Sequence, residues 1–227
     1  MKSHTHNLVR RVLYLVALGG IATGAWTAHG CLIGLSERVM HVMSERFGQM
    51  ATTRLKEWQR NEQRIHVGVK DLQLLESVNT LANRIPYGTD QDIWGVEDYW
   101  ATPAELVAVN AGDCEDYVIA KYFTLRAHGV SASQLRFVYV RALLRGRLGT
   151  HMVLAYYKTP DSEPLVLDNI NHKLLPVSQR PDLMPVYSFN DENMYREGAS
   201  GSRKVDSVSV VRRWGDLVAR ITKEKQL

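Results

Sequence analysis

An α+β fold, with helices packed on one antiparallel sheet, is what the hydrophobic patterning of this chain predicts. Three observations carry the prediction. Apolar residues recur at helical spacing from residue 35 to about residue 128; the period changes to two from Leu135 onward; and the strand-like runs are joined by short turn-forming segments. A chain of 227 residues with 45% apolar content is large enough for one such domain with an extension.

The extension is N-terminal. Residues 12 to 28, V-L-Y-L-V-A-L-G-G-I-A-T-G-A-W-T-A, carry no charge and follow Arg10-Arg11. Such a run reads as a secretory signal or an N-terminal anchor, and Ala28-His29-Gly30 offers the small residues of a cleavage site. The expected organisation is therefore a signal or anchor over 1–30 and a globular domain over 31–227. The formal charge of +4 comes from 28 basic and 24 acidic side chains, and three of the basic ones, Lys2, Arg10 and Arg11, precede the apolar run. The remainder is nearly balanced and has no nucleic-acid motif, so no nucleic-acid partner is expected.

The elements follow in order. Residues 35 to 64 place Val39, Val42, Met43, Phe47, Leu55 and Trp58 among charges, as an amphipathic helix or helix pair does. A second helical run, Val69 to Asn83, stops before Pro86. The segment I85-P-Y-G-T-D-Q-D-I-W-G-V-E-D-Y-W reads as a loop rich in Gly, Asp and aromatics, of the kind that lines a site. Thr102-Pro103 with Glu105 forms a capping box for a short helix ending near Gly112. Asp113 can cap the next helix, Cys114 to about His128, closed by Gly129. Leu135–Ala142, Thr150–Lys158 and Leu165–Asn169 are the strands, most simply a meander. The tail from Pro176 reads as loop, then a short strand at Val208–Val211 and a basic helix at Trp214–Lys225 whose solvated face is the simplest role for its charges.

Chemistry concentrates at N110-A-G-D-C-E-D-Y. Of the two cysteines, Cys31 abuts the candidate cleavage site, whereas Cys114 opens a helix, where unpaired N–H groups and the helix dipole favour a thiolate. Asp113, Glu115 and Asp116 oppose that effect. A reactive thiol also needs an imidazole, and the imidazole needs a group that fixes its tautomer. His128 lies at the far end of the same helix, roughly 20 Å away at 1.5 Å per residue. His151 opens the strand T-H-M-V-L-A-Y-Y and shares a face with Val153, Ala155 and Tyr157; in L-V-L-D-N, Asp168 shares a face with Val166, and a hairpin joining the two strands could bring Asp168 beside His151. Taken singly, His151 reads equally well as a hydrogen-bonded core histidine, and Asp168 reads better as a turn cap, since Asp-Asn favours turns; the order and compatible geometry of all three point to a Cys114–His151–Asp168 triad.

Six segments in order, N83-R-I-P-Y, D98-Y-W-A-T-P-A-E, G112-D-C-E-D-Y, H151-M-V-L-A-Y-Y, L165-V-L-D-N and R180-P-D-L-M-P-V-Y-S-F-N, resemble the bacterial transglutaminase-like cysteine proteases that release adhesins. The similarity spans roughly residues 70 to 191. It implies a papain-like, transglutaminase-like core, a periplasmic location and calcium dependence. It further implies, as substrate, a large repeat adhesin cut near its N-terminus at a small-residue pair such as Ala-Ala, which promotes biofilm dispersal. The implied regulator is an inner-membrane receptor for cyclic di-GMP that sequesters the protease.

Calcium would give the acids a purpose, since carboxylate oxygens are what a hard divalent cation prefers. Asp113, Glu115 and Asp116 are the expected ligands, joined by carbonyls or water from the upstream loop; helix capping is the plainer role for the same three residues. Trp94, Tyr99 and Trp100 are candidates for the cleft wall, with core packing as the alternative. Two other functions fit the motifs: acyl transfer to an amine, as in transglutaminases, and a catalytically silent binding module, against which the intact Cys, His and Asp argue.

Overall fold

A computed structural model describes residues 35–65, 71–144, 146–198, 202–207 and 211–227. The signal or anchor expected at 1–30, Cys31, and positions 208–210 of the expected last strand lie outside the described residues. Among the described residues, no helix is long and apolar enough to cross a membrane.

The helical half begins with α1 (Glu37–Phe47), capped by the Ser36 hydroxyl, which accepts from the Val39 N–H. Gly48, at φ +83°, ends α1 and starts α2 (Gln49–Gln63), so the long amphipathic stretch is a helix pair. Then come α3 (Asp71–Ala82), α4 (Asp90–Trp94), α5 (Pro103–Val109) and α6 (Cys114–Ala127). α5 carries the expected capping box of Thr102 and Glu105. It ends at Asn110 in the left-handed region, two residues before Gly112. The five-residue helix α4 lies inside the segment expected to be loop; it is too short for a periodic signal, and only Thr89, whose hydroxyl accepts from the Asp92 N–H, marks its start.

Among the described residues the sheet has seven strands: β1 (Leu135–Leu144), β2 (Arg147–Tyr156), β3 (Leu165–Leu167), β4 (Leu175–Pro176), β5 (Leu183–Phe189), β6 (Asn193–Arg196) and β7 (Arg203–Ser207). All pairings between them are antiparallel, in the spatial order β4-β3-β2-β1-β5-β6-β7. The three expected strands are there, but the stretch after Pro176 is not mainly loop. β5 lies directly beside β1, with a register shift between Tyr139 and Val140 that accommodates Pro185. Val211 caps the last helix, α7 (Arg212–Lys225), instead of ending a strand.

α6 crosses one face of the sheet. Its Val118, Ile119 and Tyr122 belong to one buried cluster with Phe137, Met152, Leu154 and Phe189, joined by Trp214 and Leu217 of α7. Phe137 stacks on Phe189 with ring centroids 4.9 Å apart, and Trp214 meets Phe137 edge-on at 5.1 Å. A second cluster joins α1, α2 and α5. A third, with Val138, Val140, Val153, Ala155 and Val166, covers the opposite face of the sheet.

The basic C-terminal helix is more than a solvated face. Arg220 reaches inward to donate to Glu105 Oε2 and to the Tyr99 hydroxyl, both at 2.7 Å, while Arg46 of α1 donates to the other oxygen of Glu105. The Thr102 hydroxyl donates to Glu224 at 2.7 Å. One buried carboxylate thus binds α1, α5 and α7, with opposite charges meeting it on both sides.

Candidate active site

The tip of α6 is fixed by a close approach that only glycine permits. A Cβ at Gly112 would lie 2.5 Å from Leu106 Cδ1 and 2.7 Å from Asp116 Oδ2, well inside contact distance. Gly88 donates its N–H to the Gly112 carbonyl at 2.9 Å, which draws the upstream segment alongside. Asp116, fully buried, accepts from the Ala101 N–H at 2.7 Å and from the Asp113 N–H at 3.3 Å. It therefore ties the α5 entry to the α6 tip.

Cys114 is the first residue of α6. Its sulfur meets Glu115 Oε2 at 3.1 Å and receives a hydrogen bond from the Met152 N–H. The body of α6 packs on the face of β2 that carries Met152 and Leu154, whereas His151 alternates with Val153 and Ala155 onto the other face. The sulfur meets the strand beyond the end of a pairing: among the described residues, β3 pairs with β2 only along Leu154–Tyr156, which stops short of Met152. Burial, followed by the charge and hydrogen bond of Glu115, pushes the Cys114 thiol well above its ordinary value.

His151 and Asp168 form a buried pair. Nε2 of His151 lies 2.9 Å from Asp168 Oδ1, with the residues 3% and 1% exposed. The Ala155↔Val166 and Leu154↔Leu167 register places Asp168 opposite Val153, on the face that His151 shares. Asp168 also accepts from the Ile170 N–H at 2.9 Å and from Arg180 Nη2 at 2.6 Å, and its main-chain carbonyl accepts from Asn83 Nδ2 at 2.8 Å. Burial works against the carboxylate's charge. The bond and charge of His151, with Ile170 and Arg180, outweigh it and hold Asp168 well below the usual carboxylate range. His128 closes α6 at its far end, where Nδ1 meets the Thr124 carbonyl, and takes no part in the site.

Asp113, Glu115 and Asp116 are not alone at the tip. Asp90 and Asp98, from the upstream segment, join them: one group brings together oxygens of Asp90, Asp113 and Asp116, and another those of Asp90, Asp98 and Glu115, each within 4.8 Å. Burial raises the Asp90 carboxyl to about 6. Burial and the neighbouring Glu115 raise Asp113 to about 10. Among the described residues, Asp90 Oδ1 and Asp113 Oδ1 are buried and have no hydrogen-bond partner. Two bare carboxylate oxygens in a cluster of five acids fit a hard divalent cation well, because such a cation takes oxygen ligands and cancels the repulsion. Asp90 and Asp98 escaped the sequence reading because the Gly/Asp-rich segment marks a ligand source without saying which of its acids the fold turns inward.

The aromatics divide differently from expectation. Trp100 is buried against Phe189, Trp94 packs between Phe47 and Tyr99, and the Tyr99 hydroxyl donates to Glu105. All three serve the core. The partly exposed pair beside the acids is Tyr139 and Tyr187, rings 4.4 Å apart. Burial first, then Tyr187 and the charge of Glu115, push the Tyr139 phenol up.

Comparison with known proteins places this geometry in context. Residues 41–189 match the bacterial transglutaminase-like cysteine proteinases (BTLCP). Among solved structures, EGTA-treated LapG of Legionella pneumophila is 36% identical, with 82% of this chain and 96% of that one covered and a TM-score of 0.68. Calcium-bound LapG of the same organism is 37% identical, with 82% and 99% covered and a TM-score of 0.66. No curated protein matches the chain.

Proposed function

Since the chain belongs to the bacterial transglutaminase-like cysteine proteinase family and has its α+β core, we propose that it is a calcium-dependent endopeptidase using Cys114, His151 and Asp168. The observation that carries the assignment is the buried His151–Asp168 pair, 2.9 Å apart, beside a helix-tip sulfur that accepts from the Met152 N–H.

In this reading Asp168 fixes the His151 ring through Nε2 and leaves Nδ1 to exchange protons with the thiol. The Cys114 sulfur adds to the peptide carbonyl as its proton passes to His151. The tetrahedral adduct then expels the amine, which takes that proton, and leaves a thioester. Water, deprotonated by His151, adds to the thioester carbonyl and releases the acid with a restored thiol. Asp90, Asp98, Asp113, Glu115 and Asp116 would hold the cation. When bound, calcium supplies positive charge that offsets the acids around the sulfur. The calcium-bound and EGTA-treated LapG structures support this cofactor.

The substrate class follows from the resemblance. The enzyme acts in the periplasm on the N-terminal region of a large repeat adhesin, at a pair of small residues, and releases it; an inner-membrane cyclic di-GMP receptor sequesters it. Tyr139 and Tyr187 supply a narrow aromatic wall that suits small side chains. Incubation of an adhesin N-terminal fragment with the protein, with and without a primary amine, tests both substrate and reaction. Two fragments with free new termini, and no amine incorporated, are the expected products. Amine bound to intact substrate would instead identify an acyl transferase.

A further inference from the structure

Asp168 is met by more charge than a triad requires. His151 faces it from β2, Arg180 from the turn before β5, and Lys121 of α6 lies within electrostatic range. Lys121 is fully buried and its Nζ has no hydrogen-bond partner among the described residues; burial lowers its pKa to about 7. It is therefore a weak counterion near neutrality. Arg180 differs. It is 2% exposed, and Nη2 donates to Asp168 Oδ2 at 2.6 Å and to Asp182 Oδ2 at 2.8 Å, while Nε donates to Asp182 Oδ1 at 2.9 Å. A guanidinium does not lose its proton in a protein.

We propose that Arg180 is a positioning residue that acts through Asp168: it holds the carboxylate ionised in both protonation states of His151, and so leaves the imidazole free to give up its proton. The inference rests on the triad reading but reaches beyond it. Without a fixed cation, a buried Asp168 would have the imidazolium as its main counterion. Loss of the ring proton would then strand a buried charge, and His151 would become a poor general acid. With Arg180 bound to the second oxygen, the pair keeps a counterion when the ring is neutral. Asp182 works in the other direction. It draws part of the guanidinium's charge to itself and is the more exposed partner, at 38% side-chain exposure against 0% for Asp168.

The test is an NMR titration of the His151 ring in the full chain carrying Cys114→Ala, which isolates the imidazole from the thiol. Adding Arg180→Met should raise the His151 pKa by about one unit or more, as loss of a nearby like charge does. Arg180→Lys should keep it near the parent value. Asp182→Asn should lower it, and decides the matter if Arg180→Met does not fold. An unchanged or lowered value in Arg180→Met, or an unchanged or raised value in Asp182→Asn, would overturn the inference, since a purely structural arginine has no such signature. Failure of wild type to cut adhesin would sink the proposed function but leave this titration readable.

Discussion

Under the proposed function, Cys114→Ala is expected to abolish cleavage of an adhesin fragment while the fold is kept. The expected loss in kcat is on the order of 10⁶-fold, the scale seen when a nucleophile or its base is removed from a hydrolase triad. Cys114 is partly buried at the first position of α6, and the capping interactions around it use Asp113 and Asp116, so removal of the sulfur leaves the helix start in place. His151→Ala should cost a similar factor, because without an imidazole the thiol has no proton acceptor. Asp168→Asn should cost roughly 10⁴-fold through the wrong tautomer. Unfolding melts of the Cys114→Ala protein close to wild type, together with no product in the cleavage assay, are the expected pair of results. Residual cutting by purified Cys114→Ala protein would reassign the nucleophile.

The pairing of His151 with Asp168 and the helix start at Cys114 were legible in sequence because they depend on short-range rules. A glycine, an aspartate cap and a cysteine define a helix start, and parity along two adjoining strands puts His151 and Asp168 on one face, where a 2.9 Å contact joins them. The seat of the Cys114 sulfur against β2 was not legible. The helix covers the opposite face of β2, and the sulfur meets the Met152 N–H beyond the end of the β3 pairing. β5 was missed for a related reason. Met184, Pro185 and Val186 are all exposed, so the run lacks a period of two, and a central proline argues against a strand until the bulge beside it, at Val186, is known. Asp90, Asp98 and Arg180 stand in segments the sequence did single out. Their contacts depend on tertiary packing, which spacing alone does not encode.

Removal of calcium is the second large effect. Among the described residues, five acids share the α6 tip, and two of their buried oxygens have no hydrogen-bond partner. In chelator, mutual repulsion is relieved by protonation, in line with the raised values of about 6 for Asp90 and about 10 for Asp113. The Cys114 thiol, pushed up by burial and Glu115, then stays protonated at neutral pH. Excess EGTA should therefore reduce cleavage by at least 100-fold, since each unit by which a thiol pKa exceeds the pH cuts the thiolate about tenfold. Added Ca²⁺ should restore the rate in full. Asp113→Asn and Glu115→Gln should each weaken calcium binding, read by titration calorimetry, because both remove a formal charge from the ligand set. Equal cleavage in EGTA and in calcium would leave the acids with helix capping alone.

The measurement closest to the chemistry is the rate at which iodoacetamide alkylates Cys114 at pH 7, followed by mass spectrometry with Ca²⁺ and then with EGTA. It needs no substrate and reads the ionisation of one sulfur. Alkylation faster than a simple thiol in Ca²⁺, and far slower in EGTA, is what a cation-compensated nucleophile gives. The same slow rate under both conditions would contradict it.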